Sequence, residues 1–196
     1  MSDTGRRLPA EVYSPDEVRS VIATCSWRAS TGRRDAALIS ILFQAGLRIH
    51  EALDLELPDV RLDDGTVYVR HGKNDKARFA AIAGDARFIA QWVELRGNLG
   101  LPGRLVFCSV RRPAGERLSW QAVDQMVKRR AAKAGLEQRV HLHGLRHTHA
   151  HELVKAGVKV TDIQQQLGHE NLATTQAYLR KIAPLDRIAA VRSVTF

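Results

Sequence analysis

Apolar positions in the first fifty residues form two helical stretches of different character. Ser14, Pro15, Asp16 and Glu17 supply a capping serine, a proline suited to a first turn and a glutamate three residues after the serine. This is the pattern of a capping box, and it predicts a helix to about Cys25. From Arg34 to Ala45, the residues Ala36, Ala37, Leu38, Ile39, Ile41, Leu42 and Phe43 leave almost no polar face, and Gly46 follows. A helix apolar nearly all round must be buried, and glycine is a common stop. A short helical turn, Leu47 to Leu53, comes next. Between Val60 and Ala83 the period changes: Val67, Tyr68 and Val69 are strand-like, and Asp64-Gly65 and the polar residues Gly72 to Asp75 mark turns. A small antiparallel sheet is expected there.

Helical periodicity returns from Asp85 to about Arg96. A stretch rich in Gly, Pro and Arg then runs from Gly97 to Leu118, with Leu105 to Phe107 as a candidate short strand. Ser119 is placed to cap a helix reaching Ala134 and stopping at Gly135, with basic residues in its last turns as the helix dipole favours. Further helices are expected over Leu145 to Ala156, Thr161 to Leu167, Leu172 to Lys181 and Pro184 to Arg192. No internal repeat, low-complexity tract or long linker divides the chain. The pattern predicts one domain over residues 1–196, mainly α with a small antiparallel β-sheet (α+β), a flexible lead over 1–13 and a C-terminal tail over 182–196.

Composition narrows the class. At 196 residues and 21.8 kDa the chain can bury one good core. Its 30 Lys and Arg against 21 Asp and Glu give a formal charge of +9 and a pI near 10.1, which favours a polyanionic partner, nucleic acid first. An ordinary solvated basic surface is the plain alternative. Cys25 and Cys108 lack the CxxC spacing of zinc or redox sites, so reduced thiols are expected. No run of about 18 apolar residues is present to span a bilayer, and MSDTGRRLPAEVYS has no apolar signal core. The expectation is a cytoplasmic, nucleoid-associated protein without a membrane partner.

The candidate chemistry lies mostly near the C-terminus: HGLRH at 143–147, LGH at 167–169, and Tyr178 nine residues after His169, matched upstream by Arg48 in AGLRIHEAL and Lys73 in HGKNDKAR. A phosphodiester is anionic, and negative charge grows on its non-bridging oxygens as phosphorus becomes pentacoordinate. Arg48 and Arg146 can offer planar forks of donors to those oxygens, with a directionality lysine lacks. Tyr178 is a candidate nucleophile whose phenol, with an ordinary pKa of about 10, needs nearby positive charge or a base. His143, three residues before Arg146, shares its helix face if the helix has begun there, and imidazole titrates near neutrality. His169 is a candidate hydrogen-bond donor to a non-bridging oxygen.

Each residue also has a plainer reading. Arg48 can pair with Glu51 at i+3, although the same carboxylate can orient its guanidinium. Tyr178 can be a half-buried core residue beside Leu172, Thr175 and Leu179, and His169 a helix cap. Five histidines in HLHGLRHTHAH (141, 143, 147, 149 and 151) raise zinc through the pairs His143/His147 and His147/His151. The HExxH pattern is absent and Arg146 sets a fixed positive charge beside them, so no metal is expected.

AGLRIHEAL, GKNDKAR, HGLRH and LGHENLATTQAY stand in the order and at the spacing of the tyrosine recombinases, or phage integrases, whose catalytic domain the chain resembles from about Ser14 to Arg180. That resemblance implies a site-specific DNA recombinase, cutting and rejoining strands through a 3′-phosphotyrosine and a free 5′-hydroxyl, with neither ATP nor a metal as cofactor. It assigns to Lys73, at the tip of a hairpin, the role of general acid for the leaving 5′-oxygen, with Lys76 as the rival in the same turn. It implies double-stranded DNA as partner, other protomers in a synaptic tetramer, and accessory DNA-bending proteins. A type IB topoisomerase shares the Arg, Lys, Arg, His and Tyr set, but the LGH-to-tyrosine spacing fits recombinases better; a silent DNA-binding regulator would show a broken set. The chain departs from the family at His50, His149 and His151, positions that usually hold smaller or aromatic residues. It also has only about thirteen residues before the first helix, where the family carries an N-terminal clamp domain. A catalytic domain cut from a longer protein and a short member acting without the clamp both stay open, and the initiating methionine leans toward the second.

Overall fold

The computed structural model describes residues 12–72, 76–136 and 141–169 together with Thr175. Helix α1 (Pro15–Ala23) opens with the expected capping box: Ser14 Oγ accepts from Glu17 N at 3.1 Å, and the Ser14 N–H donates to Glu17 Oε2 at 2.7 Å. α2 (Ser30–Gln44) starts four residues earlier than the apolar run suggests, and Gly46, just past its Ala45 cap, has a φ of +61° that glycine adopts without strain. Ala36 to Leu42 are all buried. Full burial of an aliphatic side chain contributes about 2 kcal/mol, so this stretch is the chief apolar contribution of α2.

After α3 (Ile49–Leu53) and a 3-10 turn over Leu57–Asp59 come β1 (Val60–Arg61), β2 (Thr66–Val69) and β3 (Arg78–Ala81). They form one antiparallel sheet in the order β1-β2-β3, with Val67 opposite both Val60 and Ala80. α4 (Arg87–Asn98) packs on α2, and its Trp92 indole donates to Val106 O at 2.8 Å. Leu105 forms a single bridge with Glu56 rather than a strand. α5 (Trp120–Lys133) is capped by Ser119, and Gly135 follows with φ +74°. α6 (Leu142–Lys155) lies against α2, and α7 (Val160–Leu167) against β3 and α6.

α6 begins three residues before the expected Leu145, because His141 accepts from Gly144 N through its ring at 3.1 Å and so caps the helix. Tyr13 secures this start. Its N–H donates to Thr148 Oγ1 at 2.9 Å and its hydroxyl accepts from His141 N at 3.0 Å. A Cβ on Gly144 would collide with the Tyr13 ring, which accounts for the glycine of HGLRH. Tyr13, expected within a flexible lead, is therefore buried and anchored. The helices expected over 172–181 and 184–192 lie outside the described residues, apart from Thr175, which is helical and fully buried.

Candidate phosphate site

The C-terminal end of α2, the start of α3, β3, α6 and the end of α7 meet at one carboxylate. The Glu51 side chain is only 4 % exposed. Its Oε1 accepts from Arg48 Nη1 at 2.8 Å, and its two oxygens accept from Arg78 Nη1 and Nη2, each at 2.9 Å. The Arg48 N–H donates to Oε2 at 2.8 Å, and Arg146 Nη1 lies 4.0 Å from the same oxygen. Burial alone would raise this carboxyl. The hydrogen bonds and charge of Arg78, with the Arg48 N–H and the Arg146 charge, overcome it and hold the pKa at about 2. Three guanidiniums thus share one carboxylate, and the cluster carries two positive charges in excess. Such an arrangement favours an anion.

Arg146, on α6, is the most enclosed of the three at 4 % exposure. Nη1 donates to Gly46 O and Nη2 to Leu167 O, both at 2.6 Å, so the guanidinium ties the end of α2 to the end of α7. Arg48 caps α3 with extended backbone, φ −70° and ψ 149°, and keeps 26 % of its side chain exposed. It is the arginine most open to a ligand arriving from solvent.

His169 follows Gly168, which leaves α7 in the left-handed region at φ +63°. A Cβ on Gly168 would stand 2.8 Å from Arg78 Cζ, so both backbone and space require glycine. His169 Nε2 lies 3.3 Å from Arg146 Nη2, and its Nδ1 lies 3.1 Å from Thr175 Oγ1. His143 and Arg146 do share α6, with His143 facing solvent. Desolvation on its inner side, then the charges of Arg146, His141 and Arg48, lower its pKa, so it is neutral at neutral pH, with a ring nitrogen free of a proton. The His143 and His147 rings meet edge-on at 5.8 Å between centroids. Among the described residues no group of three or more His, Cys, Asp or Glu is placed to hold a metal.

Arg48, His143, Arg146 and His169 are therefore gathered into one region, while Lys73 and Tyr178 lie outside the described residues. Lys76 is exposed beside the hairpin base, where Gly72 N donates to Lys76 O at 3.2 Å. A cavity of about 430 Å³ opens next to it, lined by Lys76, Arg78, Phe79, Gln164, Gly168 and His169 among others. Two residues that the sequence pattern did not single out organise this region. Arg78 sits in a basic run, yet shares the inward face of β3 with buried Ala80, an alternation that separates it from exposed Phe79. Gln166 on α7 accepts from Ala81 N at 2.9 Å and donates to Ala81 O at 2.8 Å and Ala45 O at 3.1 Å, stitching α7 to the sheet.

Residues 11–183 match the profile described as the phage integrase family. The chain belongs to this family. It is 32 % identical over 175 residues to tyrosine recombinase XerD of Staphylococcus aureus (strain Mu50 / ATCC 700699), covering 88 % of this chain and 58 % of that protein. To tyrosine recombinase XerA of Thermococcus kodakarensis it is 35 % identical over 176 residues, covering 89 % and 59 %. The chain thus spans less than two thirds of the length of these relatives. Among solved structures, XerA recombinase superposes with a TM-score of 0.83 at 28 % identity, over 100 % of this chain and 68 % of that one. XerH site-specific recombinase bound to palindromic difH substrate, a post-cleavage complex, gives 0.75 at 25 % identity, over 99 % and 56 %. The fold of this phage integrase relative is that of the tyrosine recombinases, mainly helical with one small antiparallel sheet.

Proposed function

We propose that the protein is a site-specific DNA recombinase acting through a covalent tyrosine intermediate. The observation that carries this reading is the convergence of Arg48 and Arg146 from separate elements onto one buried carboxylate, with His169 against Arg146 and His143 on the same helix as Arg146. In the proposed reaction the scissile phosphate sits against Arg48, with Arg146 as the second guanidinium donor to its non-bridging oxygens and His169 held against Arg146. The Tyr178 oxygen attacks phosphorus, and its proton passes to His143. The bond to the 5′-oxygen breaks, and that oxygen takes a proton from Lys73. The bond energy stays in the 3′-phosphotyrosine, so reversal by a second 5′-hydroxyl rejoins the strand without ATP or metal.

The partner is double-stranded DNA, held chiefly through its phosphates, and neighbouring protomers complete the assembly on it. DNA-bending accessory proteins fit the same reading, and the cytoplasm is the compartment that supplies such DNA. None of the described helices is long and apolar enough to cross a membrane. The basic charge makes binding weaken steeply with salt.

The test uses a pool of nicked duplexes with randomised recognition arms, on which cleavage releases a short strand and traps the protein. Wild type is expected to form an adduct resistant to denaturant, and Tyr178→Phe none. No adduct from any member of the pool would overturn the reading in favour of a binding-only protein. Relaxation of supercoiled plasmid without site preference would indicate a topoisomerase instead.

A further inference from the structure

The contact between His169 and Thr175 carries an inference that rests on the recombinase reading and goes beyond it. His169 is fixed through its backbone: its N–H donates to Gln164 O at 3.1 Å, and its carbonyl accepts from Gln164 Nε2 at 2.9 Å. Its ring stands between two groups of different hydrogen-bonding capacity. On one side Arg146 Nη2 lies 3.3 Å from Nε2, and a guanidinium only donates. Nε2 must then be the acceptor, and in the neutral ring the proton sits on Nδ1. On the other side Thr175 Oγ1, fully buried, lies 3.1 Å from Nδ1 and accepts that proton.

We propose that Thr175 is a positioning residue for the reaction, fixing the ring plane of His169 and aiming its Nε2 at the arginine side of the phosphate site. A hydroxyl accepts from Nδ1–H in one tautomer and donates to bare Nδ1 in the other, so threonine partners the ring in both. Valine has the same shape and can do neither. With it, Nδ1–H faces an apolar surface, the other tautomer turns Nε2–H against a guanidinium, and the ring loses its fixed direction. Thr175 also stands three residues before Tyr178 in the chain, so the contact ties the histidine to the segment that leads into the tyrosine.

The experiment compares wild type, Thr175→Val, Thr175→Ser, His169→Ala and the double variant His169→Ala/Thr175→Val. Two quantities are read: the side-chain 15N shifts of His169 in DNA-free protein, and the single-turnover cleavage rate on the nicked duplex selected from the pool. Wild-type His169 should be protonated on Nδ1 at neutral pH, and Thr175→Val should move it toward a mixture of tautomers. Cleavage by Thr175→Val should slow by about tenfold with DNA affinity unchanged, Thr175→Ser should stay within about twofold of wild type, and the valine effect should vanish beside His169→Ala. An Nε2-protonated ring in wild type, an unshifted ring in Thr175→Val, or an equal loss with and without His169 would each overturn the proposal. Should the valine variant fail to fold, the wild-type spectrum and Thr175→Ala decide in its place. Absence of any wild-type adduct would overturn the recombinase reading instead, and the 15N shifts would still decide whether Thr175 sets the ring.

Discussion

Leu38 to Leu42, in the middle of α2, and Gly46 to Glu51, just past its end, lie within four to thirteen residues of one another and follow opposite rules. The first segment is buried and, apart from Ser40, apolar, so its folding contribution grows with the area removed from water. The second gathers Arg48, Arg78 and Arg146 around Glu51, and desolvating such ions offsets most of what their attraction returns. A well-packed apolar replacement would serve stability as well or better. Excess positive charge at a fixed place suits an anion, and a phosphate is the anion that the chain's overall charge also favours.

Glu51→Gln is the sharpest way to break this comparison. It keeps the shape, removes the carboxylate, and leaves three guanidiniums without their shared partner. Breaking a buried ion pair from one side typically costs about 4 kcal/mol, so a large drop in chemical-denaturation stability is expected. Inorganic sulfate at tens of millimolar should then raise the Tm of the variant more than that of wild type, since an anion fills the vacated role. Equal sulfate effects in both proteins would mean that the cluster is a structural ion pair without anion affinity. The carboxyl's pKa of about 2 sets the pH window: its contribution is full above about pH 4.5 and is lost as pH falls toward 2.

Leu38→Ala should be destabilising by about 3 kcal/mol through lost burial and a residual cavity. Here sulfate should give no more protection than in wild type, because nothing at this site binds an anion. Denaturant melts with and without sulfate separate the two regions directly. If Leu38→Ala also gained extra sulfate protection, the core and the cluster would not be independent.

The apolar region was legible in the sequence because its signals are local. The capping box at Ser14 and Glu17, the unbroken apolar run of α2 and the Ser119 cap each lie within one element, and short-range geometry decides them. In the cluster, the motifs around Arg48, His143, Arg146 and His169 marked the participants, and Glu51 was visible as the i+3 partner of Arg48. What holds them together was hidden by distance along the chain. Arg78 joins Glu51 across 27 residues, and Gln166 reaches Ala81 across 85. Neither pair has a local pattern, and Arg78 sits in a run of charges that looks uniformly solvated. The early start of α6 was missed for a related reason. His141 is an unusual cap, and Tyr13, which secures it, lies 128 residues away.

The smallest expected effect comes from His149, where the two regions touch. Its ring packs against Gly46 so closely that a Cβ there would collide with it, and its Nε2 lies 3.3 Å from Gln166 Nε2. Burial first, then the charge of Arg146, lowers its pKa from 6.5 to about 4, against a backbone hydrogen bond to Phe43 that works the other way. A histidine with a depressed folded pKa binds its proton more readily when unfolded. Its contribution is therefore complete above pH 6.5 and lost as pH falls toward 4. Between pH 7 and 4.5 this amounts to about 2 kcal/mol, and His147, also lowered to about 4, adds a parallel loss. His149→Gln removes the titrating ring while keeping an amide that can meet Gln166. Its denaturation stability should fall less over that range than the wild-type value, measured at fixed ionic strength, even if it starts lower at pH 7. A wild-type slope retained in the glutamine variant would assign the whole acid sensitivity to His147 and its neighbours, and would leave His149 as packing alone.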